Sequence, residues 1–221
     1  MKQVIVNPAR FITLEGGEGA GKSTQIQLLN DWLQGQGITT CLTREPGGSP
    51  EAEQIRDLVL KGATDRWTGM TEALLMTASR AEHVEKKVKP ALAENKWVLC
   101  DRFFDSSIAY QGAGRGLGME RVKQLQTLAL GDFKPDLTII LDLPVEIGLS
   151  RAIARESAKS DMEDRFERMD TSFHETLRNA FLSIAEENSE RCVVINADST
   201  PEYLQGEIRK VVLDKFGQTN G

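Results

Sequence analysis

The sequence is poor in the residues that build metal clusters and disulfide frameworks. It has three cysteines and two histidines among 221 residues, and no Cys-x-x-Cys spacing. Cys41, Cys100 and Cys192 each lie in or beside a short apolar run, so we expect buried, reduced thiols of the kind found in cytosolic proteins. His83 and His174 both fall in helical patterns, which favours structural over catalytic roles. Neither a zinc site nor a disulfide-stapled scaffold is expected.

Long apolar runs and an excess of positive charge are also missing. No stretch reaches the roughly 18 apolar residues that a membrane-spanning helix needs, and the first residues lack the apolar centre of a signal peptide. The net charge is −6 and the pI is near 5.2, whereas a protein that coats nucleic acid needs a broad basic face. We therefore expect a cytoplasmic protein with no membrane and no nucleic-acid partner. Its length suits a single domain covering residues 1–221.

What the chain does contain is an alternation of short apolar runs with helical patterns. The apolar spacing predicts a helix after the first strand and glycine loop, and a long helix over about 71–94. It predicts further helices around Val122 and after Thr200 and Pro201. Apolar runs without polar alternation are typical of parallel strands covered on both faces, so the expected fold class is α/β with ligands at the carboxyl ends of the strands. The predicted strands are Phe11–Leu14, Ile38–Thr43, Trp97–Cys100, Leu137–Leu141 and Val193–Ile195.

The residues after the first strand form a glycine-rich phosphate-binding loop. Gly16-x4-Gly21-Lys22-Ser23 matches the pattern G-x-x-x-x-G-K-[ST], between the strand and the helix that the motif requires. Backbone N–H groups in such a loop turn toward an anion, and the helix adds its positive end. Lys22 can reach the β- and γ-phosphates, and the Ser23 hydroxyl can ligate Mg²⁺. We predict that ATP binds at Gly16, Gly17, Glu18, Gly19, Ala20, Gly21, Lys22, Ser23 and Thr24.

Two of the predicted strands end in an aspartate. Asp101 is followed directly by Arg102, which would bring metal and phosphate chemistry together, so Asp101 is the predicted carboxylate on the magnesium side. Asp142 precedes Leu143-Pro144 and is interpreted as a cap on the helix that begins at about Glu146. The predicted metal ligands are therefore Ser23 and Asp101.

Absent motifs narrow the reaction. The chain has no NKxD motif of the kind that reads guanine in GTPases, and 221 residues leave no room for the additional domains of remodelling ATPases. A compact P-loop fold with arginines on several loops suits phosphoryl transfer between two small phosphorylated molecules. An acceptor phosphate is mostly ionised at neutral pH, so it needs no general base, only arginines that hold two anions together.

Five motifs together carry a resemblance to a known family. They are LEGGEGAGKS from Leu14, TREPGG from Thr43, DRF from Asp101, YQG from Tyr110 and DRFE from Asp164. The chain resembles the bacterial thymidylate kinases (dTMP kinases), which are P-loop nucleoside monophosphate kinases, from Phe11 to about Phe216. The resemblance implies a three-layer P-loop NTPase fold with a five-stranded parallel sheet and a mobile lid. It also implies transfer of the γ-phosphoryl group of ATP to dTMP, giving ADP and dTDP in dTTP synthesis, with Mg²⁺ and in a homodimer.

The resemblance assigns roles around the acceptor phosphate and sugar. Arg102 would bind the dTMP phosphate, and Asp101 would serve the magnesium–water network. Glu18 would accept a hydrogen bond from the sugar 3′-hydroxyl, which gives a reason for an acid inside a loop built for anions. Ser106 is counted among the substrate-binding residues.

At the base and sugar, the resemblance implies that Arg80, helped by Gln111, hydrogen-bonds the thymine edge. Tyr110 would pack near C2′ and favour deoxyribose by excluding a hydroxyl. Pro46 would lie along the thymidine pocket. Met76 stands where the family usually has the Phe that stacks on thymine, and its polarizable sulfur can also lie on a ring.

Residues 151–170 carry many charges of both signs, which alone would indicate a solvated helix face. In the family this segment is a mobile lid that closes over ATP, and some members place a catalytic arginine there rather than in the P-loop. The P-loop here has no arginine, so the lid is expected to supply one. Arg165, in the DRFE motif, is the first candidate and Arg155 the second. The predicted catalytic residues are thus Lys22, Asp101, Arg102, Arg165 and Arg155.

Two other functions are weighed against dTMP phosphorylation. One is a kinase for another nucleoside monophosphate, for which Met76 is the main argument. The other is a binding module that uses the P-loop as a nucleotide-dependent switch without transfer. Turnover with different acceptors separates all three.

Overall fold

A computed structural model describes residues 3–5, 8–156 and 165–219, with side chains described for 8–154 and 165–217. Five parallel strands form the central sheet, as predicted, and their order is β3-β4-β2-β5-β6. A short antiparallel pair, β1 with β7, joins the two ends of the described chain and was not predicted. The strands are β1 (Gln3–Ile5), β2 (Phe11–Gly16), β3 (Thr40–Arg44), β4 (Trp97–Asp101), β5 (Leu137–Asp142), β6 (Cys192–Asn196) and β7 (Gly217–Thr219).

Helices cover both faces of this sheet. Side-chain caps mark several starts, with Thr68, Asp170 and Thr200 each accepting a hydrogen bond from a first-turn N–H group. The α-helices are α1 (Lys22–Gly35), α2 (Pro50–Leu60), α3 (Gly69–His83), α4 (Lys89–Ala93), α5 (Phe104–Ser107), α6 (Met119–Leu130), α7 (Val145–Glu156), α8 (Thr171–Glu187) and α9 (Pro201–Phe216). Two π-helical stretches, Val84–Val88 and Ile108–Gly114, follow α3 and α5.

The long helix expected over about 71–94 is confirmed as a run from α3 through the first π-helical stretch into α4. Pro90 lies at the start of α4 and has no N–H group to donate, so the regular ladder cannot run through it unchanged. The π-helical stretch directly before it absorbs this irregularity. The helix therefore continues, with a local change of winding that the periodicity did not predict.

Apolar residues pack against the sheet on both faces. On one face, α1 and α9 cover the strands through Leu29, Leu33 and Ile208, which are fully buried. On the other face, α6 and α8 contribute Val122 and Leu177 to a second cluster that includes Ile140 of β5. Burial on both faces explains why the strand sequences are mostly apolar.

The register of the sheet brings the polar strand ends together at its carboxyl edge. Asp101 of β4 pairs in register with Leu14 of β2 and with Arg44 of β3. Gly16, where the glycine loop begins, pairs with Leu141 of β5, next to Asp142. The loop, Arg44, Asp101 and Asp142 are thus placed on one edge. Among the helices described, none is long and apolar enough to cross a membrane.

Candidate active site

A cleft of about 1290 Å³ opens at the carboxyl edge of the sheet. Sites for single small ligands usually enclose roughly 300–1,000 Å³, so this cleft has room for two nucleotides. The glycine loop forms one wall, and the residues after β3 and β4 form the others. Predicted site residues that border it are Glu18, Gly19, Ala20, Gly21, Lys22, Ser23, Thr24, Pro46, Met76, Arg80, Asp101, Arg102, Ser106, Tyr110 and Gln111.

The glycine loop has the backbone that its sequence requires. Gly19 and Gly21 have positive φ angles of 68° and 89°, a region that side chains disfavour. A Cβ atom on Gly19 would collide with the carbonyl of Gly148 in α7, so the loop and that helix can touch only because both residues are glycines. Helix α1 begins directly after Gly21, which places its positive end at the loop.

Lys22 is buried inside the loop. Its Nζ donates to the carbonyls of Gly16 (3.2 Å) and Gly17 (2.7 Å), so these two glycines contribute through their backbone rather than by bordering the cleft. Burial, followed by the nearby charge of Arg102, lowers the pKa of Lys22 to about 8. A triphosphate would replace the two carbonyls with far stronger acceptors.

Ser23 and Asp101 form the oxygen pair expected on the metal side. The Ser23 hydroxyl donates to Oδ2 of Asp101 over 2.6 Å. Neither belongs to a group of three or more His, Cys, Asp or Glu side chains that could hold a metal, and no such group occurs in the part of the chain that the structure describes. A cation here would therefore need phosphate oxygens or water to complete its shell.

Glu18 meets Arg102 and Tyr110 at the centre of the cleft. Its Oε1 accepts from Nη2 of Arg102 (3.0 Å) and from the Tyr110 hydroxyl (2.6 Å). Burial alone would raise the pKa of Glu18, but Arg102, Lys22 and the Tyr110 hydroxyl outweigh it and lower the pKa to about 2. The acid is therefore paired with an arginine and remains a carboxylate.

Arg102 follows β4 in a left-handed conformation, with a φ angle of 69°. Its Nη1 donates to the Gly16 carbonyl (3.0 Å) and to Oγ of Ser106 (3.1 Å). Few non-glycine residues adopt this conformation, and those that do cluster at functional sites. The guanidinium lies between the loop and Tyr110, where an incoming phosphate could meet it.

Glu15, in β2, accepts hydrogen bonds from the residues that follow Arg102, and the sequence did not predict this role. Its carboxylate accepts from Phe103 N (2.6 Å), Ser106 N (3.4 Å) and Ser106 Oγ (2.6 Å). Burial, reinforced by Asp105, raises the pKa of Glu15 to about 7. The signal that could have revealed it is an acid in a mostly apolar strand, Phe11-Ile12-Thr13-Leu14-Glu15. A central strand tolerates a buried acid only when the acid has partners.

Arg80 is a buried arginine at the far end of the cleft. Its Nε donates to Glu45 (2.6 Å), its Nη1 to Gln126 (2.8 Å) and its Nη2 to the Phe103 carbonyl (3.1 Å). These bonds hold the planar guanidinium at one orientation and leave one N–H on each terminal nitrogen for another acceptor. Met76 borders the cleft one helical turn earlier.

Gln111 also borders the cleft, and a hydrogen bond to Glu72 holds its side-chain amide. Nε2 donates to Oε1 of Glu72 over 2.9 Å, while the buried Oε1 of the amide has no hydrogen-bond partner among the residues described. Glu72 was not predicted as a site residue. Nothing in the local sequence marks it, because its partners lie 39 or more residues away.

Arg165 was predicted to supply the catalytic guanidinium of the lid, but in the structure its side chain does not border the cleft. Its side chain is fully buried and forms an ion pair with Glu72 (2.7 Å). Its Nε, Nη1 and Nη2 donate to the carbonyls of Ala63, Val59 and Thr64, respectively. The neighbouring Phe166 and Glu167 border the cleft instead. The side chain of Arg155 lies outside the described residues.

Asp142 has a different partner from the one expected. Both of its carboxylate oxygens accept from Arg178 of α8, at 2.7 and 2.9 Å. The interpretation as a helix cap overlooked this arginine, which the fold brings in from 36 residues later in the chain. His83, between Thr43 and Glu45, is fully buried, in keeping with its predicted structural role.

Three further arginines border the cleft and were not assigned to it: Arg44, Arg56 and Arg151. Arg44 belongs to the TREPGG motif and could have been chosen on that basis. Arg56 lies in α2, where its Nη1 donates to the Pro46 carbonyl (2.7 Å), and no local pattern distinguished it. The cleft is therefore richer in positive charge than the motifs alone suggested, as a site for two polyanions requires.

Comparisons of the sequence and of the fold with known proteins point to the same family. The family model described as thymidylate kinase matches residues 14–208. A thymidylate kinase of Caulobacter vibrioides is 50% identical over 207 residues, which cover 94% of this chain and 97% of that protein. One from Afipia carboxidovorans is 52% identical over 190 residues, covering 86% and 82%. The crystal structure of thymidylate kinase from Ehrlichia chaffeensis superposes with a TM-score of 0.73 at 35% identity, covering 93% of this chain and 99% of that one. The chain belongs to the thymidylate kinase family.

Proposed function

We propose that the cleft binds ATP along the glycine loop and dTMP between Arg102 and Arg80, and transfers a phosphoryl group between them. The reaction itself, phosphorylation of dTMP by ATP to give dTDP and ADP, follows from membership of the family. The observation that carries the residue assignment is the contact of Glu18, Arg102 and Tyr110, which joins the loop to the acceptor side. A kinase for another nucleoside monophosphate finds no support in the comparisons.

The acceptor phosphate would meet Arg102, whose donors now face Glu18, Ser106 and the Gly16 carbonyl. Its nucleophilic oxygen is already ionised at neutral pH, so positioning and charge stabilisation supply the catalysis rather than a general base. Lys22 would hold the β- and γ-phosphates. For the lid, Arg155 is the remaining candidate of the two predicted arginines, because Arg165 is buried against Glu72.

The sugar and base would lie along the other wall. Oε1 of Glu18 is occupied by Arg102 and Tyr110, which leaves Oε2 as the acceptor for the 3′-hydroxyl. Tyr110 is fixed by its hydroxyl and would exclude a ribose 2′-hydroxyl by its bulk. Arg80 would use its remaining N–H groups on the base, with Met76 and Pro46 against the ring faces.

Mg²⁺ suits the oxygen pair formed by Ser23 and Asp101. Hydroxyl and carboxylate oxygens are the ligands that this cation prefers, and it commonly takes only one or two from the protein, with phosphates and waters supplying the rest. When bound, it would neutralise charge on the β- and γ-phosphates. Ser23 and Asp101 would hold it directly or through water.

A homodimer is the proposed assembly, and the cytoplasm the proposed location. Three leucines on adjacent helices are exposed, Leu58 on α2, Leu74 on α3 and Leu128 on α6. Exposed apolar residues on neighbouring elements indicate an interface. All three cysteines are free thiols, as is usual in a reducing compartment.

The deciding experiment is an acceptor profile. Purified protein, ATP and Mg²⁺ are incubated with dTMP, dUMP, UMP or CMP, and the products are separated by ion-exchange chromatography. We expect ADP to form only when an acceptor is present, with dTMP the best acceptor and dTDP the product. ATP hydrolysis at the same rate with and without an acceptor would indicate a nucleotide-dependent switch. A preference for UMP or CMP would indicate a kinase for another nucleoside monophosphate.

A further inference from the structure

Glu72 is a carboxylate buried at the first turn of α3, outside the predicted site. Its side chain has no exposure to solvent, which is rare for an acid unless it is fully paired. Arg165 Nη1 forms an ion pair with Oε2 (2.7 Å), and Arg115 donates to both oxygens (3.3 and 3.0 Å). The remaining donor is Nε2 of Gln111, at 2.9 Å from Oε1.

These contacts decide which way the amide of Gln111 points. A carboxylate only accepts hydrogen bonds, so the NH₂ end of the amide must face Glu72. The carbonyl Oε1 is consequently turned away from Glu72. It is buried and lacks a protein partner within the described part of the chain, although Gln111 borders the cleft. A buried acceptor without a protein partner is rare, and an N–H group of a bound ligand can satisfy it.

The pyrimidine bases differ in what they offer such an acceptor. Thymine and uracil carry an N3–H donor between two carbonyl oxygens, whereas N3 of cytosine is itself an acceptor. An amide carbonyl therefore fits thymine and uracil and is repelled by cytosine. The reversed amide would present NH₂ and favour cytosine at this atom.

We infer that Glu72 is a positioning residue that sets base specificity, because it holds the Gln111 amide with its carbonyl toward N3 of the base. This rests on the proposed function, in which the base lies beside Arg80 and Gln111. The two arginines on the far side of Glu72 fix the carboxylate in place. Arg165 anchors this network in the described conformation.

The Glu72→Gln variant tests the inference. Its new amide can present NH₂ toward Gln111 while its carbonyl still faces the arginines, so the Gln111 amide is free to reverse. We expect kcat/KM for dTMP and dUMP to fall together by roughly 10–100-fold, because the base donor then meets a donor. The value for dCMP should stay constant or rise. The dTMP-to-dUMP ratio would hold while the dTMP-to-dCMP ratio falls at least tenfold.

Controls separate this role from a general loss of structure. Asp105→Asn weakens another buried acid–arginine pair, with Arg191, and should lower thermal stability without changing the dTMP-to-dCMP ratio. Combining Glu72→Gln with Gln111→Leu should give the same ratio as Gln111→Leu alone, since Glu72 acts through that amide. If circular dichroism shows Glu72→Gln unfolded, Glu72→Asp keeps the charge against both arginines. It should lower the same ratio several-fold.

Equal losses for dTMP, dUMP and dCMP in the folded Glu72 variant would overturn the inference and leave Glu72 a scaffold residue. A ratio that changes further when Glu72→Gln is added to Gln111→Leu would overturn it as well. A wild-type protein that fails to phosphorylate dTMP would instead overturn the proposed function.

Discussion

Glu18 places a negative charge inside a loop whose other groups bind anions. The structure gives it two partners on one oxygen, Arg102 and Tyr110, and a pKa of about 2, so it is ionised under all working conditions. Without a further partner, such a charge would only weaken ATP binding. Oε2 of Glu18 accepts no hydrogen bond from the residues that the structure describes. This oxygen gives the acid a role toward the acceptor, because a carboxylate binds a hydroxyl well and repels a phosphate.

The Glu18→Gln variant should lose the proposed contact with the 3′-hydroxyl, whereas Arg102 and Tyr110 can still donate to the carbonyl oxygen of the new amide. We expect kcat/KM for dTMP to fall about tenfold, equivalent to ~1.4 kcal/mol for one charge-assisted hydrogen bond. For 3′-deoxy-dTMP, which lacks the hydroxyl, the same variant should change little. Steady-state kinetics with both nucleotides give the comparison, and KM for ATP serves as the control. An equal loss with both nucleotides would show that Glu18 does not contact the 3′-hydroxyl.

Lys22 makes ATP binding depend on pH in a defined direction. Its pKa is about 8 in the empty protein, so at pH 9 about nine-tenths of the amines are neutral. A triphosphate raises this pKa, so binding at pH 9 should take up close to one proton, and affinity should fall as the pH rises above 8. Calorimetry in buffers of different ionisation enthalpy measures the uptake, which should shrink to about a quarter of a proton at pH 7.5.

The matched variant is Lys22→Arg, since a guanidinium keeps its proton throughout this range. Proton uptake at pH 9 should disappear in this variant, whatever affinity remains. If it persisted unchanged, another group would be responsible for it.

At the scale of secondary-structure elements, the contact between the glycine loop and α7 depends on two glycines. A Cβ atom on Gly148 would lie 2.5 Å from the Glu18 carbonyl oxygen. Gly148→Ala should therefore lower stability by roughly 1–3 kcal/mol and weaken ATP binding, although alanine is the better helix former. Gly206→Ala, in α9 where nothing lies within 4 Å, should raise stability by about 0.5–1 kcal/mol. Urea unfolding and ATP titration of both variants provide the test, and equal effects would contradict it.

The elements also show what the sequence could predict. Strands with a short apolar run, such as β2 and β5, and helices with a clear period, such as α9, were predicted because each pattern is local. The glycine loop, Asp101 and Arg102 were found because they follow strands directly, and parallel strands deliver their ends to one edge. Glu15 and Glu72 were missed because their roles depend on partners brought together by tertiary packing. Arg165 was assigned to the cleft on its motif, but its guanidinium is surrounded by carbonyls of residues about 100 positions earlier.

At the scale of the whole molecule, α3 connects the end of the cleft proposed for the base to the outer surface. Met76 and Arg80 border the cleft from one side of this helix. Leu74, on the opposite side, is 51% exposed, and Leu128 on the adjacent α6 is 86% exposed. If a second copy covers these leucines, it also supports the helix that carries the proposed base contacts.

The double variant Leu74→Lys/Leu128→Lys should therefore convert the protein from dimer to monomer, because two charges would have to be buried at the apolar face. Light scattering after size-exclusion chromatography measures the mass directly. We also expect KM for dTMP to rise several-fold with little change in KM for ATP, since α3 loses its support while the glycine loop does not. Tyr203→Lys, at a large exposed residue of α9 whose exposure (64%) lies between those of the two leucines, should leave mass and kinetics unchanged. A wild-type monomer at micromolar concentration, or a double variant that stays dimeric, would place the interface elsewhere or exclude it.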